Sequence, residues 1–385
     1  MSILTADGKL LTVDGKLATA KVAPSSPYME AEYVAVEDTD GNTSHYIKRA
    51  KLYNHTAIYT GEFTGQVQLK NLDLSDASNN ITAIEQQAFH QALVDGLVLP
   101  NTISVLGAEC FASAYITTLT IPPLVTVLPS YAFSSIRAVY NNETGEEFPI
   151  NIILPQNLTK IGTGCFSGTQ IRQITIPDTV TEIENRAFYL SSQLASITLP
   201  LGLQKISDEM LESCSSLTSI TIPAAVTEIG ANAFSNSGLT SITIPSTVTA
   251  LGSGAFSACA SLTHMDIQAN VAEIPDAFAA GCPLTFLTLP NTLQTIGASA
   301  FVGTNKIQIT ELTIPASVTS IGDYAFVASN AYQMTLTVLP TTPPTLGKNA
   351  FVLATGSVIK VPAASVAAYK AAAGWNTWAD IIVAM

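Results

Sequence analysis

The seven residues LTSITIP at positions 217–223 return unchanged at positions 239–245, 22 residues further along the chain. Within each copy the isoleucines alternate with Thr221, which is the two-residue period of a strand with one buried face. Pro223 has no backbone N–H, so it ends the ladder of strand hydrogen bonds. An identical strand every 22 residues predicts parallel strands that lie side by side in the turns of a repeat protein.

The repeat extends far beyond these two copies. An aromatic residue that follows Ala or Cys marks one slot of each unit, and Leu211 fills that slot once: Phe89, Phe111, Phe133, Phe166, Phe188, Phe234, Phe256, Phe278, Phe301, Phe326 and Phe351. A proline follows the strand of most units, and Gln268 takes the one empty place: Pro100, Pro122, Pro155, Pro177, Pro200, Pro223, Pro245, Pro290, Pro315, Pro340 and Pro362. The spacings are 22 to 25 residues apart from one of 33. With an L-x-x-I-x-I core they predict a leucine-rich-repeat solenoid of about twelve coils, in which stacked neighbours enclose one apolar interior.

Two stretches, SLTSITIPAAVTEIGANAF (216–234) and GLTSITIPSTVTALGSGAF (238–256), carry a resemblance to a known family. They resemble the repeats of the BspA-like leucine-rich-repeat proteins of bacteria and of some protists and phages. The resemblance extends over roughly residues 67–385, and the tail at 358–385 looks like the closing segment common in that family. It implies a solenoid fold, a role in surface recognition and adhesion, and no common catalytic residues.

Two small residue types recur in register with the repeat. Glycine follows the second apolar position of many units, at 107, 162, 230, 252, 297, 322 and 347, and we predict that a turn of positive φ requires it there. Cys110 and Cys165 directly precede the aromatic slot, whereas Cys214, Cys259 and Cys282 follow it by three or four residues. An odd number of cysteines without a CxxC pair predicts buried free thiols instead of disulfides or a zinc site.

The pattern divides the chain into three parts. Residues 1–66 precede the repeat and read as an N-terminal β-hairpin module, because LTADGKL (4–10), LTVDGKL (11–17) and the stretch 32–49 place Asp-Gly turns between apolar flanks. This module either caps the solenoid or docks it to a larger assembly. Residues 67–362 form the solenoid, with an insertion at 134–150 that is either a tolerated loop or a binding loop. Residues 363–385 form a C-terminal helical cap, since Ala363 to Ala373 has helix-forming composition.

Charge and hydropathy exclude several classes of partner. The 385 residues carry 16 Lys and Arg against 29 Asp and Glu, a formal net charge of -13, and no clustered basic patch. Nucleic acid and anionic membrane surfaces are therefore not expected partners. No apolar run reaches the length of a membrane span, and the first 20 residues lack the basic and apolar regions of a secretory signal. Export by that route is not expected unless a leader has been removed.

The residue types that carry catalysis or bind metals are scattered. The four histidines are far apart in the chain, and neither HExxH nor GxSxG occurs. Asp38, Asp40 and Asn42 suggest a calcium loop, but the carboxylate that completes such a loop is not at the required spacing. We therefore predict no catalytic residues, no cofactor and no metal.

The solvent-facing positions of the predicted strands are the best source of candidate binding residues. Two residues before each proline slot stand Val98, Thr120, Ile153, Thr175, Thr198, Thr221, Thr243, Asp266, Thr288, Thr313, Val338 and Lys360. A ladder of threonines is what an exposed pleat favours. Side chains on the strands that depart from this ladder are candidate ligand contacts: Arg172, Gln173, His264, Asp266, Phe286 and Glu311. Phe286 beside His264, one coil away, is the foremost recognition patch among them.

Four functional hypotheses follow from the sequence. The first is a non-enzymatic recognition component of a phage virion, which binds a protein or glycan on a host cell and contacts other virion proteins through the N-terminal module. The alternative is a bacterial cell-surface adhesin of the BspA type that binds host matrix proteins or other cells. An enzyme is the third hypothesis, and the absence of converging titratable groups argues against it. A structural spacer or capsid decoration is not separable from the first by sequence.

Overall fold

A computed structural model of the chain describes residues 2–4, 10–12, 29–37, 43–52, 54–65, 71–74, 79–94, 97–140, 147–303, 309–327 and 333–385. The chain divides into two compact units, Met1–Val180 and Thr181–Met385. Both units are built from coils that carry short parallel strands, about thirteen coils in all. The solenoid fold predicted from the repeat is thereby confirmed, and each unit is described separately.

The first unit consists of strands and turns. Its described strands are β1 (Ser2–Leu4), β2 (Leu10–Thr12), β3 (Met29–Glu37), β4 (Thr43–Leu52), β5 (Ala57–Ile58), β6 (Asn71–Asp73), β7 (Ala83–Ile84), β8 (Val105–Leu106), β9 (Thr118–Thr120), β10 (Val127–Leu128), β11 (Val139–Tyr140), β12 (Glu147–Phe148), β13 (Asn151–Ile153), β14 (Lys160–Ile161) and β15 (Gln173–Thr175).

Antiparallel strand pairs occur at the N-terminus, where the Asp-Gly stretches predict hairpins. Strand β1 pairs with β2, and β3 pairs with β4 over nine positions from Met29↔Leu52 to Glu37↔Thr43. The residues between the paired strands lie outside the described residues, as do most of the second tandem copy at 11–17 and the calcium-loop candidates Asp38, Asp40 and Asn42. The other edge of β4 pairs in parallel with β6, so one strand belongs both to the hairpin and to the repeat ladder.

The repeat begins one coil earlier than the sequence predicts. Strand β5 pairs in parallel with β7, and the Phe63 ring stacks on the Phe89 ring at a centroid distance of 5.3 Å and an angle of 10°. Phe63 is fully buried. The sequence pattern misses this coil because Glu62 precedes the aromatic ring where other units have Ala or Cys, and because no proline follows β4. Residues 54–65 therefore have coil geometry, although they lie within the predicted module of residues 1–66.

Backbone hydrogen bonds join neighbouring coils at the aromatic slot as well as at the strands. The Phe89 amide donates to the Cys110 carbonyl at 2.8 Å, and the Phe111 amide donates to the Ala132 carbonyl at 2.9 Å. The rings in this slot stack face to face, with Phe89 and Phe111 5.1 Å apart and 2° from parallel. Each buried ring is thus held by hydrogen-bonded backbone and by the adjacent rings, which explains why one residue type recurs at one spacing.

The insertion at 134–150 contains a β-hairpin. Strand β11 pairs antiparallel with β12 through Val139↔Phe148 and Tyr140↔Glu147, and residues 141–146 lie outside the described residues. Strand β13 then rejoins the repeat by pairing in parallel with β9. The added residues therefore leave the coil before its strand and return without disturbing the parallel ladder.

The second unit repeats the same coil and ends in a cap. Its described elements are β16 (Glu182–Ile183), β17 (Ser196–Thr198), β18 (Lys205–Ile206), β19 (Glu228–Ile229), β20 (Ser241–Ile244), β21 (Ala250–Leu251), β22 (His264–Ile267), β23 (Glu273–Ile274), β24 (Phe286–Thr288), β25 (Thr295–Ile296), β26 (Glu311–Ile314), β27 (Ser320–Ile321), β28 (Thr335–Val338), β29 (Thr345–Leu346), β30 (Val358–Val361), a 3-10 turn (Ala363–Ser365), α1 (Val366–Ala371), a 3-10 segment (Trp375–Ile381) and β31 (Ile382–Ala384).

Two series of parallel strands run along this unit. The longer strands form the sheets β20-β22-β24 and β26-β28-β30-β31, and the two-residue strands form β18-β19-β21 and β23-β25-β27-β29. Burial alternates along the longer strands, so that Ile242 and Ile244 are buried while Ser241 and Thr243 are exposed. The apolar interior therefore lies between the two series of strands, and the alternating polar side chains form an exposed strand face.

The coil of Phe278 departs from the predicted alignment by one residue. In a regular coil pair the Phe234 amide donates to Ala255, the residue before the next aromatic ring, but the Phe256 amide donates to Phe278 itself. Ala279, whose amide donates to Ala300, therefore occupies the aromatic slot, and Phe278 stands in the small-residue slot before it. The prediction that Phe278 fills the aromatic slot is wrong, because the hydrogen bonds and not the spacing of phenylalanines define the register.

The recurrent glycines serve a different purpose from the one predicted. None of the glycines at 107, 162, 230, 252, 297, 322 and 347 has a positive φ. A Cβ on Gly230 would lie 2.7 Å from the Asp208 nitrogen, and a Cβ on Gly322 would lie 2.7 Å from the Ala298 nitrogen. These positions need glycine because the backbone of the preceding coil leaves no room for a side chain. The left-handed residues instead lie two positions before and after the aromatic slot, as Asn232 (φ 52°) and Asn236 (φ 56°) do around Phe234.

The cysteines occupy the interior positions that the sequence predicts. All five are buried and free. With Ala279 in the aromatic slot, Cys214, Cys259 and Cys282 each follow their slot by three residues, and each Sγ lies 3.0–3.3 Å from the carbonyl oxygen of the slot residue one coil earlier. Burial raises the pKa of Cys214 to about 12, so this thiol stays protonated at neutral pH.

The C-terminal cap covers the end of the aromatic stack. Trp375 and Tyr369 are fully buried, and the Phe351 ring centroid lies 6.0 Å from that of Trp375. The Trp375 Nε1–H donates to the Pro344 carbonyl at 2.8 Å, and the Tyr369 hydroxyl donates to the Pro340 carbonyl at 2.7 Å. Strand β31 then pairs in parallel with β30, an element that the sequence does not predict because it has neither proline nor aromatic marker. The predicted helix is present as a 3-10 turn followed by α1.

Candidate functional site

The exposed strand face of the second unit carries the threonine ladder that the sequence predicts. Thr198, Thr243 and Thr313 are all exposed on it. Thr221 is exposed at the same position of its coil, but the strand predicted from the first LTSITIP copy at 217–223 is absent, whereas the second copy contains β20. Val338 is the exception among the predicted positions, since it pairs with Ile314 and is fully buried, while Thr337 aligns with Thr313. The prediction for Val338 is wrong because Pro340 stands one residue further from its strand than Pro315 does from β26.

Phe286 and His264 lie side by side on this face. Strands β22 and β24 pair in parallel with His264 directly opposite Phe286. The imidazole and phenyl rings stack at a centroid distance of 5.9 Å and an angle of 22°, and the Thr263 hydroxyl lies 2.9 Å from His264 Nδ1. Phe286 is 47% exposed, which is unusual for a residue of its size on a ladder otherwise made of small polar side chains.

Asp266 is held in place by two neighbours on the same face. Its Oδ1 accepts a hydrogen bond from the Thr288 hydroxyl on the adjacent strand, and its Oδ2 accepts one from the Gln268 amide at 2.7 Å. Thr288 lies directly opposite Asp266 in the register. The carboxylate is therefore fixed by hydrogen bonds, and the Thr288 hydroxyl proton is already engaged.

A cleft of about 460 Å³ opens on the side of Phe286 that faces the next coil. Its lining combines residues of the β24 coil with residues of the β26 coil: Thr285, Phe286, Leu287, Thr288, Leu289, Asn291, Thr310, Glu311, Thr313 and Pro315. This volume falls within the range of sites that hold small ligands or single side chains. Glu311 is the one ionisable side chain among these described lining residues, and it is exposed.

The cleft coincides with a break in the sheet of longer strands. Strand β24 is the last strand of one sheet, and β26 is the first strand of the next. Pro315 follows Phe301 by 14 positions, whereas Pro245 follows Phe234 by 11, and residues 304–308 of this longer connection lie outside the described residues. The cleft is thus the place where two consecutive long strands are adjacent without being paired.

The structure brings together four of the six candidate residues. His264, Asp266, Phe286 and Glu311 lie on successive strands of the same face in the second unit. Arg172 and Gln173 belong to the first unit, where both are exposed at the start of β15. They are not part of the cleft.

The sequence misses part of the cleft lining. Asn291 and Thr310 lie outside the strands, so the strand period carries no signal for them. Thr313 has a ladder position but belongs to the regular pattern, and only the sheet break places it in a cleft. Within the described residues no three His, Cys, Asp or Glu side chains are grouped so that they could hold a metal ion.

Comparison with known protein families matches most of the chain. A model of the BspA type Leucine rich repeat region, in 6 copies, matches residues 56–187, 145–263 and 249–367. The chain belongs to the BspA-type leucine-rich-repeat family. No functionally curated protein matches it.

Solved structures similar to this BspA-type chain include two bacterial proteins. A leucine-rich repeat protein from Bacteroides ovatus is 20% identical, with a TM-score of 0.42 and coverage of 86% of this chain and 92% of that protein. A leucine rich cell surface protein from Faecalibacterium prausnitzii is 21% identical, with a TM-score of 0.45 and coverage of 78% and 92%. Among the described residues of the BspA-type chain, no helix combines the length and the apolar composition needed to span a bilayer.

Proposed function

We propose that this BspA-type protein is a non-enzymatic adhesion protein of a bacterial cell surface, which binds a protein ligand through the exposed strand face of its second unit. The observation that carries the proposal is the cleft between β24 and β26. It presents an exposed aromatic ring and a carboxylate on a face whose regular positions are mostly threonine. Aromatic residues at such positions are the usual anchors of protein interfaces.

Family membership and the distribution of titratable groups support a binding role. The BspA-type family is one of surface recognition, and the repeat interior is apolar, so ligand contacts must come from exposed faces. An enzyme active site requires a nucleophile, a base and oxyanion donors close together, and the described titratable groups do not form such a set. Burial raises the pKa of the Cys110, Cys165 and Cys214 thiols, so none of these three is an activated nucleophile.

The cell-surface hypothesis is favoured over the virion hypothesis. The family match supports a bacterial surface protein, and no comparison supports a phage fibre or adsorption component. A docking role for residues 1–66 and contacts with other virion proteins stay predictions that depend on the virion hypothesis. The pairing of β4 with both β3 and β6 favours a capping role for this segment.

Binding to arrayed ligands tests the proposal. We expect the purified chain to bind at least one extracellular-matrix or cell-surface protein from an array that also contains glycans. Phe286→Ala is expected to weaken that binding about tenfold or more, as truncation of an aromatic anchor does. Leu201→Ala, which truncates a 72% exposed apolar residue of the same unit, serves as the matched control.

Localisation provides the second arm of the test. Antibody against the chain is expected to label intact cells of the producing bacterium as strongly as permeabilised cells. Label that appears only after permeabilisation contradicts a surface location. Detection of the chain in purified phage particles by mass spectrometry would instead support the virion hypothesis.

A further inference from the structure

We infer that the cleft between β24 and β26 receives a cationic side chain, most suitably an arginine, from an extended segment of the protein partner. The inference rests on the proposed function and names the chemical class of its ligand. It depends on three features: an aromatic face, a carboxylate opposite it, and the charge of the surrounding surface.

The first feature is a phenyl ring with one face available. His264 stacks on Phe286 at 5.9 Å but does not line the cleft, so the imidazole covers the side of the ring that faces away from the cleft. The other side lines the cleft, and almost half of the residue is exposed to solvent. A guanidinium or ammonium group binds favourably over such an aromatic face, and the planar guanidinium also stacks on it.

The second feature is the Glu311 carboxylate on the opposite wall. It belongs to β26, whereas Phe286 belongs to β24, so the two strands that border the cleft contribute one aromatic ring and one carboxylate to its lining. Two parallel N–H donors of a guanidinium match the two oxygens of a carboxylate, and the pairing fixes the orientation of the guanidinium plane. A lysine ammonium satisfies the charge but not this geometry.

The third feature is the sign of the charge on this part of the face. Asp266 lies one coil from Phe286, and its two hydrogen bonds hold the carboxylate on the same face. No Lys or Arg is among the described residues that line the cleft. The formal net charge of -13 for the whole chain also favours the approach of cationic ligands over anionic ones.

A sugar is the competing occupant, and the hydrogen-bonding groups favour it less. A glycan also stacks on an aromatic ring, but it needs several free donors and acceptors around its edge. The Thr288 and Thr285 hydroxyls already donate to Asp266 and to the Thr263 carbonyl, so the neutral hydrogen-bonding side chains left in the described lining are Thr310, Thr313 and the single amide of Asn291. The carboxylate and the aromatic face are therefore better matched to a cation than to a neutral sugar ring.

The experiment compares three probes on the intact chain. The first is a blocked hexapeptide of alternating serine and arginine, the second is the same peptide with citrulline in place of arginine, and the third is maltohexaose. Backbone amide resonances of the protein are recorded during titration at low ionic strength. We expect the arginine peptide to perturb the amides of residues 285–291 and 310–315, and the uncharged citrulline peptide to bind at least fivefold more weakly.

Paired variants assign the effect to the two walls of the cleft. Glu311→Gln is expected to weaken arginine-peptide binding about tenfold, and Phe286→Ala about threefold. Glu273→Gln changes an exposed carboxylate on a two-residue strand of the same unit, and Leu201→Ala changes an exposed apolar residue. Both controls are expected to leave binding unchanged. Raising the salt concentration is expected to weaken binding to the wild-type chain more than to Glu311→Gln.

The outcomes separate this inference from the proposed function. Equal binding of the arginine and citrulline peptides overturns the inference, and so does perturbation of the cleft amides by maltohexaose alone. If an arrayed matrix protein binds Glu311→Gln as tightly as the wild-type chain but Phe286→Ala more weakly, the proposed function stands and the cation is excluded. If the arginine peptide binds the cleft but no arrayed protein does, the inference stands and the proposed function fails.

Discussion

The coils of Phe326 and Phe351 and the coil of Phe278 fill the same interior in two different ways. The rings of Phe326 and Phe351 stack at 5.2 Å and 4°, as the rings of most neighbouring coils do. The Phe278 ring meets Phe256 at 75° and Phe301 at 80°, with centroids 5.4 and 6.2 Å away. Both arrangements are favourable geometries for aromatic pairs, and all of these rings are buried.

The coil therefore tolerates a change of register if the volume of the slot is filled. Phe278 precedes the aromatic slot by one residue, and its ring packs edge-on against the Phe256 and Phe301 rings. Ala279 occupies the slot that phenylalanine fills in the regular coils. Pro275 stands where regular coils have glycine, so the N–H that Gly252 and Gly297 donate to the preceding coil does not exist there. The backbone hydrogen bonds around Ala277, Ala279 and Gly281 maintain the coil geometry despite the exchanged residues.

Removal of a ring from the regular part of the stack should have the largest effect. Phe234 is fully buried, and its ring lies 5.1 Å from the Phe256 ring at 8°. Phe234→Ala is expected to lower the free energy of unfolding by about 3–5 kcal/mol, because it removes buried apolar surface and leaves a cavity. Urea denaturation monitored by circular dichroism measures the change, and Leu201→Ala is the control with no expected loss. A loss below about 1 kcal/mol would mean that neighbouring coils collapse into the space.

Restoration of the regular order in the slipped coil tests the assigned register. Phe278→Ala alone is expected to cost about 3–5 kcal/mol and Ala279→Phe alone about 1–3 kcal/mol, because the first creates a cavity and the second overpacks the slot. The double exchange Phe278→Ala/Ala279→Phe conserves volume and places the ring in the regular slot, so it is expected to cost less than about 1.5 kcal/mol. The measurement is a double-mutant cycle by urea denaturation. Additive costs of the two single variants would show that Phe278 occupies the slot itself.

The same coil shows what the sequence could and could not predict of the fold. The regular spacing of Phe and Pro predicts the coil, the parallel strands and the buried cysteines, and the helix-forming composition of residues 363–373 predicts the C-terminal cap, because each depends on residues within one repeat length. The one-residue change of register at Phe278 is defined by backbone hydrogen bonds between coils. The Ala-Phe pair in the sequence is the same as in regular coils, so it does not predict this change. The coil of Phe63 contains the stacked ring but lacks the Ala or Cys before it that marks most other units. Strand β31 pairs in parallel with β30, but neither a proline nor an aromatic residue marks it in the sequence.

The sequence singles out four side chains that lie on neighbouring strands of one face, but it does not predict the shape of the cleft, and their role in binding stays a prediction. His264, Asp266, Phe286 and Glu311 stand out because they interrupt a polar ladder whose period the sequence defines. The cleft depends on a break between β24 and β26, and no residue type marks that break. Arg172 and Gln173 interrupt the threonine ladder in the same way, yet they lie in the first unit. Interruption of the sequence pattern therefore does not by itself predict which residues lie close together.

The glycine positions offer a smaller and more local test of coil-to-coil packing. Gly230→Ala is expected to cost about 1–3 kcal/mol, since its Cβ would lie 2.7 Å from the Asp208 nitrogen and force the two coils apart. Gly202→Ala is the matched control, because a Cβ there meets nothing within 4 Å, and its effect is expected to stay within about 0.5 kcal/mol. Equal effects of the two substitutions on the urea midpoint would contradict close packing as the reason for the recurrent glycines.

The smallest expected effect concerns charge on the coil of Leu211, the third coil that departs from the regular pattern. Partial burial, with a smaller contribution from Glu209, raises the pKa of Glu212 above its usual value. A carboxyl group whose pKa is raised by folding favours the folded state when protonated, and this contribution is lost as the pH rises through the folded-state pKa. At pH 7 the ionised Glu212 is therefore slightly destabilising, and Glu212→Gln is expected to raise the free energy of unfolding by about 0.3 kcal/mol, since solvent screens a partly exposed group.

Below about pH 4 the Glu212 carboxyl group is mostly protonated in both the folded and the unfolded state, so the gain in stability should disappear. Urea midpoints of Glu212→Gln and the wild-type chain at pH 7 and at pH 3.5 measure this, and a gain that persists at the lower pH would show that the substitution acts through packing and not through charge.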